Sequence, residues 1–198
     1  MNTLRMTFKT LVQSLTLVAL LGGVSGCGAV FGAGAAVGMA AYDERGVDGV
    51  ARDLRIHTRI LEVWFQHEHT LPAKIGLEVH EGRALLTGTI PDAQVRADVV
   101  RLAWTVDGVK DVINEMQPID QSTADFARDG WITTQLKSRI TLDRDVLAVN
   151  YSVETVNGTV YLIGVAQSQS ELDRVVAHAR SLEYVRRVAP HVRVKGKT

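Results

Sequence analysis

His67, Glu68 and His69 are the side chains of this 198-residue chain spaced most like metal ligands. Their i, i+2 separation suits a strand better than a helix, and no third ligand is evident for a zinc site. A solvated helix end is the better explanation of them. Asp143-Arg144-Asp145 has the opening of a calcium loop without the oxygen ligands that should follow, and reads as a plain loop. No serine stands in a Gly-x-Ser-x-Gly elbow, and no glycine-rich loop runs into a Lys-Ser or Lys-Thr pair. Arg186-Arg187 could bind an anion or line a solvated strand face. No catalytic residue, metal or cofactor is therefore expected. The single cysteine, Cys27, excludes a disulfide within the chain and a metal site built from cysteines.

The position of Cys27 gives that thiol a use. Arg5 and Lys9 form a basic start, and residues 11–21 are mostly apolar but too short to span a bilayer. Small residues then lead to the cysteine in Leu21-Gly22-Gly23-Val24-Ser25-Gly26-Cys27. Val24-Ser25-Gly26-Cys27 resembles the bacterial lipobox, in which the thiol takes up diacylglycerol and the cysteine becomes the mature N-terminus. Residues 1–26 are then a signal peptide and Cys27 the lipidation site. An ordinary secretory signal with an incidental cysteine is the alternative. Residues 27–47 follow as a Gly/Ala-rich segment. Gly28/Gly32 and Gly34/Gly38 have the spacing of close helix contacts in membranes. Glycine at this density is costly for a helix, which favours a tether.

Beyond residue 47 the chain repeats itself at an offset of 76. Gly82 matches Gly158, Gly88 matches Gly164, and Asp53 matches Asp129. Ile56 and Ile132, Val99 and Val175, and Ala103 and Ala179 pair in the same way. The stretch from Val153 to Gly164 alternates apolar and polar residues on both sides of Asn157-Gly158. That pair tolerates positive φ at both centres of a type I′ hairpin turn. Around it the pattern predicts a helix over 48–66, strands over 75–79 and 83–89, a helix from Pro91-Asp92 to about 105, and a strand over 109–116. The second copy predicts a helix over 123–141, a hairpin over 151–165, a helix over 169–181 and a strand over 185–194. Each unit is α-β-β-α-β, an α+β fold in which two helices must cover one face of a three-stranded mixed sheet. The domains are expected at 48–117 and 122–198. Units this small gain from packing on each other.

The composition is that of a globular protein, with 46% hydrophobic and 22% charged residues and a formal net charge of +0. Nothing in it calls for nucleic acid. The two repeats nevertheless differ. Residues 48–117 hold 8 basic and 11 acidic side chains, net −3, whereas 122–198 hold 11 basic and 8 acidic, net +3. The second copy is the better match for an anionic surface.

The element order, with a glycine at each hairpin turn and another closing its second strand, resembles the BON domain. Val106-Asp107-Gly108-Val109, Val112-Ile113-Asn114-Glu115 and Trp131-Ile132-Thr133-Thr134 are similar to phrases of dual-BON outer-membrane lipoproteins of the DolP/YraP type. The resemblance implies a lipid-anchored protein on the periplasmic face of the outer membrane. It implies binding of anionic phospholipid through the second domain, support of envelope integrity, and no known chemistry. Gly28 stands where an aspartate would mark inner-membrane retention in enteric bacteria. His57, His67 and His69 are not features of that family.

Helical geometry points to where such a contact would lie. At 100° per residue, Ile132, Leu136 and Ile140 share the core stripe. Trp131, Gln135, Ser138 and Leu142 fall on another face, flanked by Arg128 and Arg139. The first repeat has Arg55, Arg59, Glu62 and Gln66 there, so the fold does not need an aromatic at that place. An exposed Trp with basic neighbours suits a lipid headgroup layer, although packing between the two domains would also use it. A protein-binding adaptor for an envelope assembly or secretion machine is the rival function.

Overall fold

Ile56, Ile60 and Trp64 lie four residues apart and bury one stripe of the first helix, α1 (Gly46–His67). Trp64 also donates its indole N–H to the Val99 carbonyl at 3.0 Å, which ties α1 to the next long helix. The computed structural model describes residues 43–119 and 121–196. The expected signal peptide, Cys27 and the tether as far as residue 42 lie outside the described residues.

After α1 comes a single turn of helix, α2 (Leu71–Lys74), which the sequence reading passed over. Pro72 permits it, because a proline in the first turn forfeits no intrahelical bond. Strands β1 (Ile75–His80) and β2 (Arg83–Gly88) pair antiparallel, helix α3 (Ala93–Trp104) crosses over, and β3 (Asp111–Asn114) pairs parallel with β2. The second copy has α4 (Thr123–Leu142), β4 (Tyr151–Val156), β5 (Thr159–Ala166), α5 (Gln169–Arg180) and β6 (Arg187–Val194). It has the same order, with β5 central. β3 is shorter than the 109–116 expected. Its backbone pairing still runs on, with Glu115 N–H bonded to the Leu86 carbonyl and Gln117 N–H to that of Gly88, each at 2.9 Å.

Both hairpins turn through positive φ at both centres: 55° at Glu81 and 79° at Gly82, 49° at Asn157 and 72° at Gly158. The aspartates that the repeat had paired hold these turns from the helix side. Asp53 accepts the N–H groups of Glu81 and Gly82 at 2.8 and 2.9 Å. Asp129 accepts those of Asn157 and Gly158 at 2.6 and 2.8 Å. Both carboxylates are buried, so each docks its helix on its hairpin through charge-assisted bonds. Asp129→Ala would strand two N–H donors, one of them buried. It should cost about 3 kcal/mol in urea unfolding, with Asp129→Asn intermediate. A loss below about 1 kcal/mol would show that the turn needs no anchor. At the far end of each hairpin, Gly88 and Gly164 have φ of 110° and 152°. A Cβ there would collide with the carbonyl oxygens of Lys74 and Asn150.

The sheet faces not covered by helices pack on each other. Leu85 of the first sheet meets Val156, Tyr161 and Ile163 of the second, with Ile113 and Ala189 alongside. Polar bonds ring this seam. Gln117 donates to the Val156 carbonyl and to Tyr161 Oη and accepts from Asn157. Glu115 pairs with Arg187 and His191, and Arg193 forks onto Glu81 at 2.7 and 2.9 Å. The two domains therefore form one packed body from residue 43 onward.

His80, at the end of β1, is 1% exposed, and neither ring nitrogen has a partner among the described residues. Burial, and then the neighbouring Arg45 guanidinium, hold its pKa down at about 4. The imidazole is thus neutral in the folded chain, while the unfolded chain protonates it near its ordinary value. Its contribution to stability is whole above about pH 6.5 and is lost as pH falls toward 4, on the order of 3 kcal/mol in all. His80→Leu should flatten that part of the acid limb between pH 7 and 4.5. An identical acid loss in both proteins would contradict this reading.

Candidate functional site

Helix α4 starts at Ser122, whose hydroxyl accepts the Asp125 N–H at 3.1 Å. Ile132, Leu136 and Ile140 are buried against the second sheet, which fixes the rotation of the helix. It turns Trp131 and Leu142 outward, 42% and 79% exposed. Gln135 is half-buried between them and Arg128 is exposed. Arg139 is drawn off the stripe, donating to Ser181 Oγ at the end of α5 at 2.7 Å. Trp131 is no part of the inter-sheet cluster.

The ring that Trp131 does meet is Tyr184, in the turn before β6, edge-on at 6.0 Å between centroids. The Arg128 guanidinium stacks over the same tyrosine, 5.5 Å from its centroid. Tyr184 has φ 67°, a left-handed conformation rare for an aromatic residue. Its counterpart in the first repeat is Gly108, with φ 92°. The turn thus suits glycine, and the second repeat instead holds a half-exposed tyrosine there against that preference. Sequence reasoning missed Tyr184. The signal lay in the 76-residue match, which sets a bulky side chain opposite a glycine.

Beside this aromatic pair lies a cleft of about 150 Å³ lined by Arg128, Asp129, Gly158, Tyr184 and Arg186. The stem of Arg186 covers Gly158, while Arg187 turns to Glu115 of the first domain at 3.0 Å. The two arginines therefore serve different places. Arg128 also pairs with Asp125 at 3.3 Å, an exposed bond of small worth. The matching face of α1 is polar: Arg59 pairs with Glu62 at 2.6 Å, and Gln66 bonds Glu62 as well.

The other chemical candidates have local partners. Glu68 accepts from Thr70 and pairs with Lys74, and His69 packs on Phe65. Asp143 holds His178 at 2.6 Å, and Asp145 holds Arg174 at 2.9 Å. Among the described residues no group of three His, Cys, Asp or Glu side chains could hold a metal ion.

The family model for the BON domain matches residues 52–118 and 128–196. The chain is 38% identical over 146 residues to the "Uncharacterized protein in gshII 5'region" of Anaplasma centrale, across 72% of this chain and 95% of that protein. It is 40% identical over 93 residues to the Outer membrane lipoprotein DolP of Haemophilus influenzae, across 46% of this chain and 48% of DolP. It is 31% identical over 117 residues to the 21 kDa hemolysin of Actinobacillus pleuropneumoniae, across 59% and 60% of the two chains.

Proposed function

The chain belongs to the BON-domain family, and on that premise we propose that it is a lipid-anchored, non-enzymatic protein on the periplasmic face of the bacterial outer membrane. Its second domain binds anionic phospholipid through Trp131, Tyr184 and Arg128, and the protein supports envelope integrity. The likeness to a relative named as an outer-membrane lipoprotein supports the location, and the small residues before Cys27 support the anchor.

One observation carries the lipid contact. Tyr184 stands in a glycine conformation and presents a second aromatic ring to the exposed Trp131, with a guanidinium over it. Strain held at the surface marks a place where the side chain is worth more than the turn. Indole and phenol rings settle at headgroup depth, and each nearby cation adds about 1 kcal/mol on an anionic membrane. Lipid chains and a headgroup contact together give the two signals that stable attachment requires.

The test uses residues 42–198 without the anchor, co-sedimented with phosphatidylglycerol-rich and with phosphatidylcholine vesicles. A preference for the anionic vesicles is expected; equal or absent binding would refute the reading and favour a protein adaptor. Tyr184→Gly separates strain from contact. It should keep stability or raise it by about 1 kcal/mol, because the left-handed residue is relieved. It should also weaken vesicle binding several-fold. Unchanged binding would remove Tyr184 from the site.

A further inference from the structure

We propose that the cleft of the first domain, between α1 and the turn before β3, is a docking site for an aromatic side chain of a partner protein, one flanked by acidic residues. The cleft has a volume of about 330 Å³, and Arg52, Asp53, Ile56, Gly82, Gly108 and Lys110 line it. Each of these six stands 76 residues before a residue that lines the cleft beside Tyr184. In that second cleft the molecule supplies its own ring, Tyr184, under the Arg128 guanidinium. At the matched place the first repeat has Gly108 and no ring. Its cleft is more than twice as large as the second, which holds about 150 Å³. The floor registers the difference: Ile56 is 7% exposed and Ile132 0%.

The cations around this opening are free to meet a ligand. Among the described residues no hydrogen bond or ion pair reaches the side chains of Arg52, Arg55 or Lys110. Arg55 takes the place of Trp131, which is the other neighbour of the Tyr184 ring. The stem of Lys110 lies over Gly82 as that of Arg186 lies over Gly158. The acids lining the cleft are already engaged. Asp53 holds the hairpin turn and Arg45, and Glu81 holds the fork of Arg193. Glu44 accepts from Gln167 and pairs with Lys195 at 2.6 Å. Arg45 is itself held between Asp43 and Asp53.

Pseudosymmetry thus shows what the opening fits. A ring placed there covers the Ile56 floor and offers its face to the Arg52 guanidinium, as Tyr184 does to Arg128. Aromatic anchors seated in pockets carry much of the energy of protein interfaces. Carboxylates beside the ring meet Arg52, Arg55 and Lys110, whereas a basic segment is repelled. A bilayer offers phosphates but no ring to fill the cleft. The net −3 of the first repeat also disfavours a broad anionic surface. A single acidic side chain feels chiefly the cations within a Debye length of it. The site belongs to the first domain and does not depend on lipid binding by the second.

The experiment follows the amide resonances of Gly82, Gly108 and Gly158 in the full chain, held in non-ionic detergent at neutral pH and low salt. The probes are acetyl-Asp-Tyr-Asp-amide, its Asp-Ala-Asp and Lys-Tyr-Lys counterparts, and glycerol 1-phosphate, a headgroup without a ring. Saturable shifts at Gly82 and Gly108 are expected with the first probe, with Gly158 unmoved. The alanine and lysine peptides should bind at least about tenfold more weakly. Gly108→Tyr installs the residue of the second repeat, whose turn accepts a tyrosine. Its own ring should close the cleft and abolish binding, read at Gly82. Arg52→Glu combined with Lys110→Glu alters only exposed side chains, so the chain stays folded. Binding should weaken about tenfold. No saturable shift with the tyrosine peptide, equal binding of the alanine or lysine peptide, equal shifts at Gly158, or full binding by either variant would overturn the proposal. Tighter binding of glycerol 1-phosphate than of the tyrosine peptide would overturn it as well, by showing a headgroup site.

Discussion

Cys27→Ala should leave the chain without lipid and at the size of its uncleaved precursor. On the proposed anchor the thiol would be the nucleophile that takes up the diacylglycerol, and the sequence has no other cysteine to replace it. Each buried methylene of an acyl chain is worth about 0.8 kcal/mol, so a two-chain anchor far outweighs a peripheral contact of a few kcal/mol. The effect is close to all-or-none. Labelling cells with a clickable fatty acid, followed by denaturing electrophoresis, reads both lipidation and precursor size. Equal labelling of wild type and variant would remove Cys27 as the attachment point and leave a simple secretory signal.

The hairpins, the 76-residue repeat and the core stripe of each first helix were legible because each rests on local periodicity. Asn157-Gly158 announces its own turn. Ile132, Leu136 and Ile140 announce which side of α4 faces in, and by difference that Trp131 faces elsewhere. The packing of one sheet on the other was harder to see. Its one sequence trace is the run Val160-Tyr161-Leu162-Ile163, apolar on both faces of a strand, as a strand buried on both sides must be. The duty of Asp53 and Asp129 could not be read, because a helical carboxylate and a turn 28 residues later meet only in the fold. Tyr184 was hidden for a similar reason. Nothing in a sequence marks a tyrosine as left-handed, and only its match with Gly108 hints at it. The length of β3 was misjudged because Val109 belongs to the turn, its N–H bonded to the Val106 carbonyl.

Packing of the two domains into one body leaves the proposed lipid surface free. The seam uses Leu85, Tyr161 and Ile163 together with Glu115, Arg187 and His191. It leaves α4 and the turn before β6 outside. Phe126, at the start of α4, is exposed on another side of that helix and borders the inter-domain groove. Aromatic surface on α4 is thus divided between two places, and among the described residues the stacked cation, Arg128 over Tyr184, is on the Trp131 side.

Trp131→Glu tests the central claim most directly. Fragments 42–198 of the wild type, Trp131→Glu and Arg55→Glu are co-sedimented with phosphatidylglycerol-rich vesicles at low and high salt, with circular dichroism to establish folding. Trp131 lies off the core stripe, so the variant should stay folded. The indole is lost from the interface and a charge repelled by the headgroups is gained, and together these should weaken binding at least about tenfold at low salt. High salt should remove the basic contribution in the wild type and spare the apolar one. Arg55→Glu, at the matched position of the first repeat, should bind nearly as the wild type does. A folded Trp131→Glu that binds as tightly as the wild type would contradict the account.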